Sequence, residues 1–212
     1  MDIAQIIDHT MLKPEATQET VRRYCAEART YGFATVCVNS CHVALVTSEL
    51  KGSGIKTCCV VGFPLGAMIT EVKAFEAEAA VKAGAEEVDM VINIGGIKDG
   101  NMDLVTDDIR AVVEAVKPAL VKVIIETCLL SDEEKIAACE AAVHAGAAYV
   151  KTSTGFSTGG ATVDDVKLMR QTVGNQAKIK ASGSIRTHEF ACQLVEAGAD
   201  RIGAGNGVVL LK

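Results

Sequence analysis

Three times in this chain an Ala-Gly-Ala triplet closes a helix-like run and leads straight into a strand-like one: "AGAEEVDMV" from Ala83, "AGAAYVKTS" from Ala145 and "AGADRIGAG" from Ala197. A glycine at that point lets the chain enter the left-handed region that ends a helix. An apolar run rich in Val and Ile directly after it reads as a buried strand. The spacing between the three is irregular, which excludes a solenoid repeat. The unit is the helix-to-strand junction of a parallel sheet.

Extending this grammar predicts eight strands: near Ile7–Thr10, Thr35–Val38, Thr57–Val61, Glu87–Val91, Val121–Glu126, Tyr149–Thr152, Ile179–Ser182 and Arg201–Gly203. Helices are expected to open at Thr70, at Ser131 with Glu134 in capping-box spacing, at Thr162 with Asp165, and at Thr187. They are expected to stop at Gly84, Gly146, Gly174 and Gly198. Eight strands with intervening helices imply an α/β fold, a (β/α)8 TIM barrel, with 1–212 as a single catalytic domain. A doubly wound open sheet is the alternative. It wants a glycine fingerprint after its first strand, and "DHTMLKP" is not one.

A net charge of −6 disfavours nucleic acid and anionic membranes as partners. The first ten residues carry no basic and apolar leader, and no apolar run approaches the ~20 residues of a membrane span. A cytoplasmic protein with reduced thiols is expected. His9, His42, His144 and His188 show no metal-ligand spacing, so no metal site is expected. Cys58 and Cys59 are adjacent in a strand and must face opposite ways; Cys37 is read as core packing that could also line a pocket.

Barrel chemistry sits at the C-terminal ends of the strands. Asp8, Asp89, Glu126, Lys151 and Lys180 are read as the polar ends there. Lys151 and Lys180 belong to consecutive strands. If both point inward, repulsion and desolvation push a lysine pKa down, and a partly neutral lysine attacks carbonyl carbon to form a Schiff base. Asp89, among apolar neighbours, can pair with either lysine and relay protons. The loops "ASGSIRT" and "GAGNGVV" offer backbone N–H groups to an anion at Gly183, Ser184, Gly203, Gly205 and Asn206.

The segments "EVDMVINIG", "VKTSTGF" and "KASGSIRT", with "IDHTMLKP", "VCVNSCHV" and "VVGFPLGA", resemble in order the deoxyribose-phosphate aldolases, a family of class I aldolases. The resemblance spans nearly the whole chain. It implies a TIM barrel that reversibly cleaves 2-deoxy-D-ribose 5-phosphate to acetaldehyde and D-glyceraldehyde 3-phosphate, with no metal or organic cofactor. It implies that Lys151 is the Schiff-base lysine, that Lys180 depresses its pKa, and that Asp89 is the relay carboxylate. Asp8, Thr10, Cys37, Thr154 and Gly155 are then expected around the substrate. The family usually reads "SGGIRT" and a "GTSSG"-like segment where this chain has "SGSIRT" and "GAGNG". Altered phosphate selectivity is the expectation from those two departures. The partners implied are aldehydes and sugar phosphates, with a homodimer left open. Two other readings stand beside this one: a sugar-phosphate isomerase or transferase on the same barrel, and a barrel that binds a phosphorylated ligand without turnover.

Overall fold

The computed structural model describes residues 3–212. Eight parallel strands close on themselves in sequence order: β1 (Ile7–Met11), β2 (Thr35–Asn39), β3 (Lys56–Val61), β4 (Glu87–Val91), β5 (Leu120–Ile124), β6 (Tyr149–Lys151), β7 (Lys178–Ser182) and β8 (Arg201–Ala204). The helices around them are α1 (Gln18–Tyr31), α2 (Val43–Leu50), α3 (Thr70–Lys82), α4 (Ile94–Lys98), α5 (Met102–Val116), α6 (Asp132–His144), α7 (Val163–Val173) and α8 (His188–Glu196). This is the TIM barrel expected from the strand count, and the open-sheet alternative falls. No helix among the described residues is long and apolar enough to cross a membrane.

The predicted punctuation is present. Ser131 and Glu134 form a reciprocal capping box at α6, while Thr162 and Thr187 accept N–H bonds at the starts of α7 and α8. Gly84, Gly146, Gly174 and Gly198 all have positive φ. Four helices went unread: α1, α2, α4 and α5. The β4–β5 crossover carries two of them, the short α4 and then α5, each capped by an asparagine (Asn93 and Asn101).

Strand side chains alternate between two destinations. One set faces the helices and builds the main core, including Val36, Val38, Cys59, Met90, Val123, Ile179 and Ile202. The other set faces the barrel axis. There Cys37, Cys58, Val60 and Leu12 form a small separate cluster. Cys58 and Cys59 thus face opposite ways. Beside Val91, Ile124 and Tyr149, the rest of the interior carries charge. Asp8, Glu87, Asp89, Lys122, Lys151 and Lys180 are all buried. Charges are rarely buried unless paired, so their arrangement decides what the barrel is for.

Candidate active site

Asp89, at the centre of β4, organises the interior. Its Oδ2 accepts from Lys151 Nζ at 2.8 Å and from Lys180 Nζ at 2.6 Å. Its Oδ1 accepts from Lys122 Nζ at 2.7 Å and from the Cys58 thiol at 3.2 Å. Below this, Asp8 lies 2.5 Å from Lys180 and 2.6 Å from Arg201, and Glu87 lies 2.7 Å from Lys122. Three carboxylates therefore meet four cations. Lys151 and Lys180 are direct neighbours in the β6–β7 register, and one carboxylate oxygen bridges them.

The strand-end expectation needs correction. Only Lys151 ends its strand. Asp89 and Lys180 are the middle residues of β4 and β7, and Asp8 is the second residue of β1. Glu126 lies past the end of β5 in a left-handed conformation, φ 56°. The reason is the two-residue alternation of inward positions, which builds a charged layer beneath the barrel mouth rather than at it. Glu126 turns to the neighbouring loop, accepting the Thr154 N–H at 3.1 Å and the Thr154 hydroxyl at 2.5 Å.

Lys180, expected to depress the pKa of Lys151, carries a raised pKa of its own. Burial alone would lower its pKa, but Asp8 and Asp89 outweigh that and hold it above the ordinary lysine value. Lys122, facing Asp8 and Asp89, is likewise raised well above it. Burial would raise Asp89, yet Lys122, Lys151 and Lys180 hold it well below the carboxylate range; Asp8 is lowered in the same way, by Lys122, Lys180 and Arg201. The signs set a pH window. A carboxylate with a depressed folded pKa adds stability that is complete above its unfolded value, ~3.9, and disappears as pH falls below it. A lysine with a raised pKa adds stability that is complete below ~10.4 and disappears as pH rises further. Urea unfolding is therefore expected to give a stability plateau from about pH 5 to about pH 9, falling on both sides. A continuous rise across that range would contradict the paired interior.

A cavity of about 490 Å³ opens above this layer. Lys151 lines it, together with Thr10, Thr154, Gly155, Gly183, Ser184, Gly203, Gly205 and Asn206. Lys180, Asp89 and Asp8 lie beneath it, fully buried. Cys37 does not line it either: it is sealed in the barrel interior with Cys58 under Leu12 and Phe63, so its place there is packing. Asp8 likewise meets cations rather than open space, and Thr10 donates its hydroxyl to the Asp8 carbonyl at 2.9 Å. Sequence reasoning missed Lys122, Glu87 and Arg201. The signal for Lys122 was present in "VKVII", a lysine at an alternate position of an apolar strand, the pattern also seen in "IKA". It also missed Lys13 and Arg186, exposed cations on the cavity wall that make no ion pair among the described residues.

Two buried groups bring metal-ligating atoms together: Cys37, Cys58 and Asp89, and Asp8, Cys58 and Glu87. The carboxylates of both already face the Lys122 ammonium, so a metal ion would have to displace a lysine.

Ser184 has φ 61°, in the left-handed region, although it carries a side chain. That conformation costs a non-glycine residue ~1–2 kcal/mol. Glycine would relieve it but lose about 0.4–1 kcal/mol through the freer unfolded chain. Ser184→Gly is expected to stabilise the fold by about 0.5–1 kcal/mol on balance, read from the urea midpoint; a destabilised variant would show that the serine hydroxyl outweighs its backbone strain.

The family model for DeoC/LacD aldolases matches residues 3–212. The chain belongs to this family. The deoxyribose-phosphate aldolase of Clostridium tetani is 59% identical over 213 residues, covering 100% of this chain and 99% of the relative. That of Listeria welshimeri is 59% identical over 212 residues, covering 100% and 95%. Among solved structures, the tetrameric deoxyribose phosphate aldolase of Aeropyrum pernix superposes with a TM-score of 0.92 at 35% identity, covering 99% of this chain and 89% of that one. An aldolase designated QR15 gives 0.96 at 39%, covering 100% and 95%. As a DeoC/LacD aldolase the chain keeps its charged layer and its cavity within one barrel.

Proposed function

We propose that this chain is a class I aldolase that reversibly cleaves 2-deoxy-D-ribose 5-phosphate to acetaldehyde and D-glyceraldehyde 3-phosphate through an imine on Lys151, with 1–212 acting as one catalytic domain in the cytoplasm. The observation that carries this reading is that Lys151 alone of the interior lysines reaches the cavity, with its amine held on the oxygen that Lys180 shares. The Lys151 amine attacks the aldehyde carbon and water leaves, giving a protonated imine. That imine keeps the positive charge where the ammonium had it, so Asp89 stays paired. The C3 hydroxyl proton passes through water to the Asp89 carboxylate, with Lys180 beside it as an ammonium, the C2–C3 bond breaks, and glyceraldehyde 3-phosphate departs. The electron pair is held as an enamine, which is protonated and hydrolysed to acetaldehyde. Asp89 and Lys180 act on Lys151 from beneath, and Thr10, Thr154 and Gly155 face the sugar.

The phosphate is assigned to the wall formed by Gly183, Ser184, Gly203, Gly205 and Asn206, with Lys13 and Arg186 supplying opposite charge. Restoring "SGGIRT" and "GTSSG" tests the altered selectivity: an unchanged preference for deoxyribose phosphate over deoxyribose would refute it. An isomerase wants a free carboxylate at the cavity, whereas Asp8 and Asp89 are buried under it and held by cations. A second copy of the chain is the proposed partner. Leu65, Ile69, Val72 and Phe75 leave an apolar face exposed along the start of α3, a face that association would cover. Light scattering showing Phe75→Glu no smaller than the parent would remove that support.

Borohydride reduction in the presence of acetaldehyde, followed by digestion and mass mapping, tests the main reading. The adduct is expected on Lys151. A folded protein with donor in excess and no adduct would end it and bring the non-catalytic ligand-binding barrel forward.

A further inference from the structure

The alternation in β1 that turns Asp8 and Thr10 inward turns His9 outward, against α1. There it meets Tyr24 ring to ring, with centroids 4.2 Å apart and planes 20° apart, and Phe33 at 5.0 Å. Both members of this stack hold the backbone of the loop after β8. Gly207 N–H donates to His9 Nδ1 at 3.2 Å, and the Tyr24 hydroxyl donates to the Gly205 carbonyl at 2.6 Å. A backbone N–H can only donate, so Nδ1 is the acceptor and the ring proton sits on Nε2. From there it donates to Glu27 Oε2 at 2.7 Å. Burial holds the His9 pKa below its ordinary value, against the pull of Glu27, in keeping with the neutral ring this bonding needs. The fit is close: a Cβ on Gly207 would stand 2.8 Å from Ile7 Cγ2 and 3.2 Å from His9 Nδ1. Asn206, between the two anchored residues, lines the cavity.

We propose that the His9–Tyr24 stack, braced by Glu27, is a positioning device for phosphate recognition. By pinning Gly205 and Gly207, His9 from behind and Tyr24 from the cavity edge, it holds the Asn206 loop in the one arrangement that meets the anion. The inference rests on the reading of this loop as the phosphate site. His9 is fully buried and outside the cavity lining, so it acts through the loop; Tyr24 lines the cavity, so the His9 pair of variants is what separates loop positioning from direct contact.

The test is steady-state kinetics on deoxyribose 5-phosphate and on deoxyribose, for the parent, His9→Leu, His9→Asn and Tyr24→Phe. Asparagine offers an oxygen near the Nδ1 position and leucine offers nothing. Losing one loop bond is expected to raise KM for the phosphorylated sugar about tenfold in His9→Leu and Tyr24→Phe, with kcat and the deoxyribose efficiency retained. His9→Asn is expected to restore most of the KM. Equal losses on both sugars, a fall in kcat instead of a rise in KM, or no difference between Asn and Leu would overturn the proposal. If His9→Leu does not fold, an unchanged KM in Tyr24→Phe overturns it, because that variant keeps the ring and removes only the bond to Gly205. A parent enzyme with no preference for the phosphorylated sugar would instead sink the phosphate-site reading, and this inference with it.

Discussion

Asp89→Asn is expected to remove roughly 3–5 kcal/mol of folding stability, the usual cost of stranding a buried charge. Asp89 takes four donors, the lysines Lys122, Lys151 and Lys180 and the Cys58 thiol. An asparagine has the same shape but must turn its NH2 toward one side of that group, N–H against N–H. The negative charge that compensates three ammonium groups also disappears. Domains of this kind hold about 5–15 kcal/mol in total, so one isosteric change would consume a large fraction. Urea unfolding at neutral pH measures it. A second measurement separates charge from shape: Lys151→Ala in the Asp89→Asn background should recover part of the loss, because it withdraws a cation that no longer has its partner. A loss under about 1 kcal/mol in the single variant would mean the interior is hydrated enough to screen its charges.

Lys151→Ala in the parent should have the opposite profile. Cleavage of deoxyribose 5-phosphate is expected to fall by about 10⁴-fold or more, as when a covalent nucleophile is removed from a group that acts as a unit. Stability should change by less than about 2 kcal/mol. Without Lys151 the layer holds three carboxylates and three cations, and Asp89 Oδ2 keeps Lys180 at 2.6 Å. Residual turnover above about 1% of the parent, with the fold intact, would move the imine to another residue. An inactive variant that has also unfolded would contradict the charge count.

The barrel was legible because its information is local. Ala-Gly-Ala at Ala83, Ala145 and Ala197 marks the entries to β4, β6 and β8, and Ser131 with Glu134 marks the start of α6. The adjacency of Lys151 and Lys180 was also local, since consecutive strands are neighbours. What the lysines touch was not. Lys180 reaches Asp89 across 91 residues of sequence, and Arg201 reaches Asp8 across 193. Such contacts exist only once the barrel closes. That is why the raised pKa of Lys180 was not foreseen: its lysine neighbour was visible, its two carboxylates were not. Cys37 shows the same limit along the strand axis. Alternation places it inside the barrel, but depth, which alternation does not encode, decides that it is sealed there rather than open to the cavity.

The charged layer also constrains how this sequence can change. Replacing a whole buried ion network with apolar groups can leave stability level or raise it by about 1–4 kcal/mol, whereas deleting one partner costs about 3–5. The end points may be equally stable, but most intermediates one substitution away are not. Lys151 is the exception, because removing it balances the count. With Lys151 as the proposed nucleophile, chemistry can therefore be lost here in one step without loss of the fold, while the supporting Asp8, Asp89, Lys122 and Lys180 remain locked together. A non-catalytic descendant of this barrel should still carry the full underlying layer, an archaeological trace of the nucleophile it once supported.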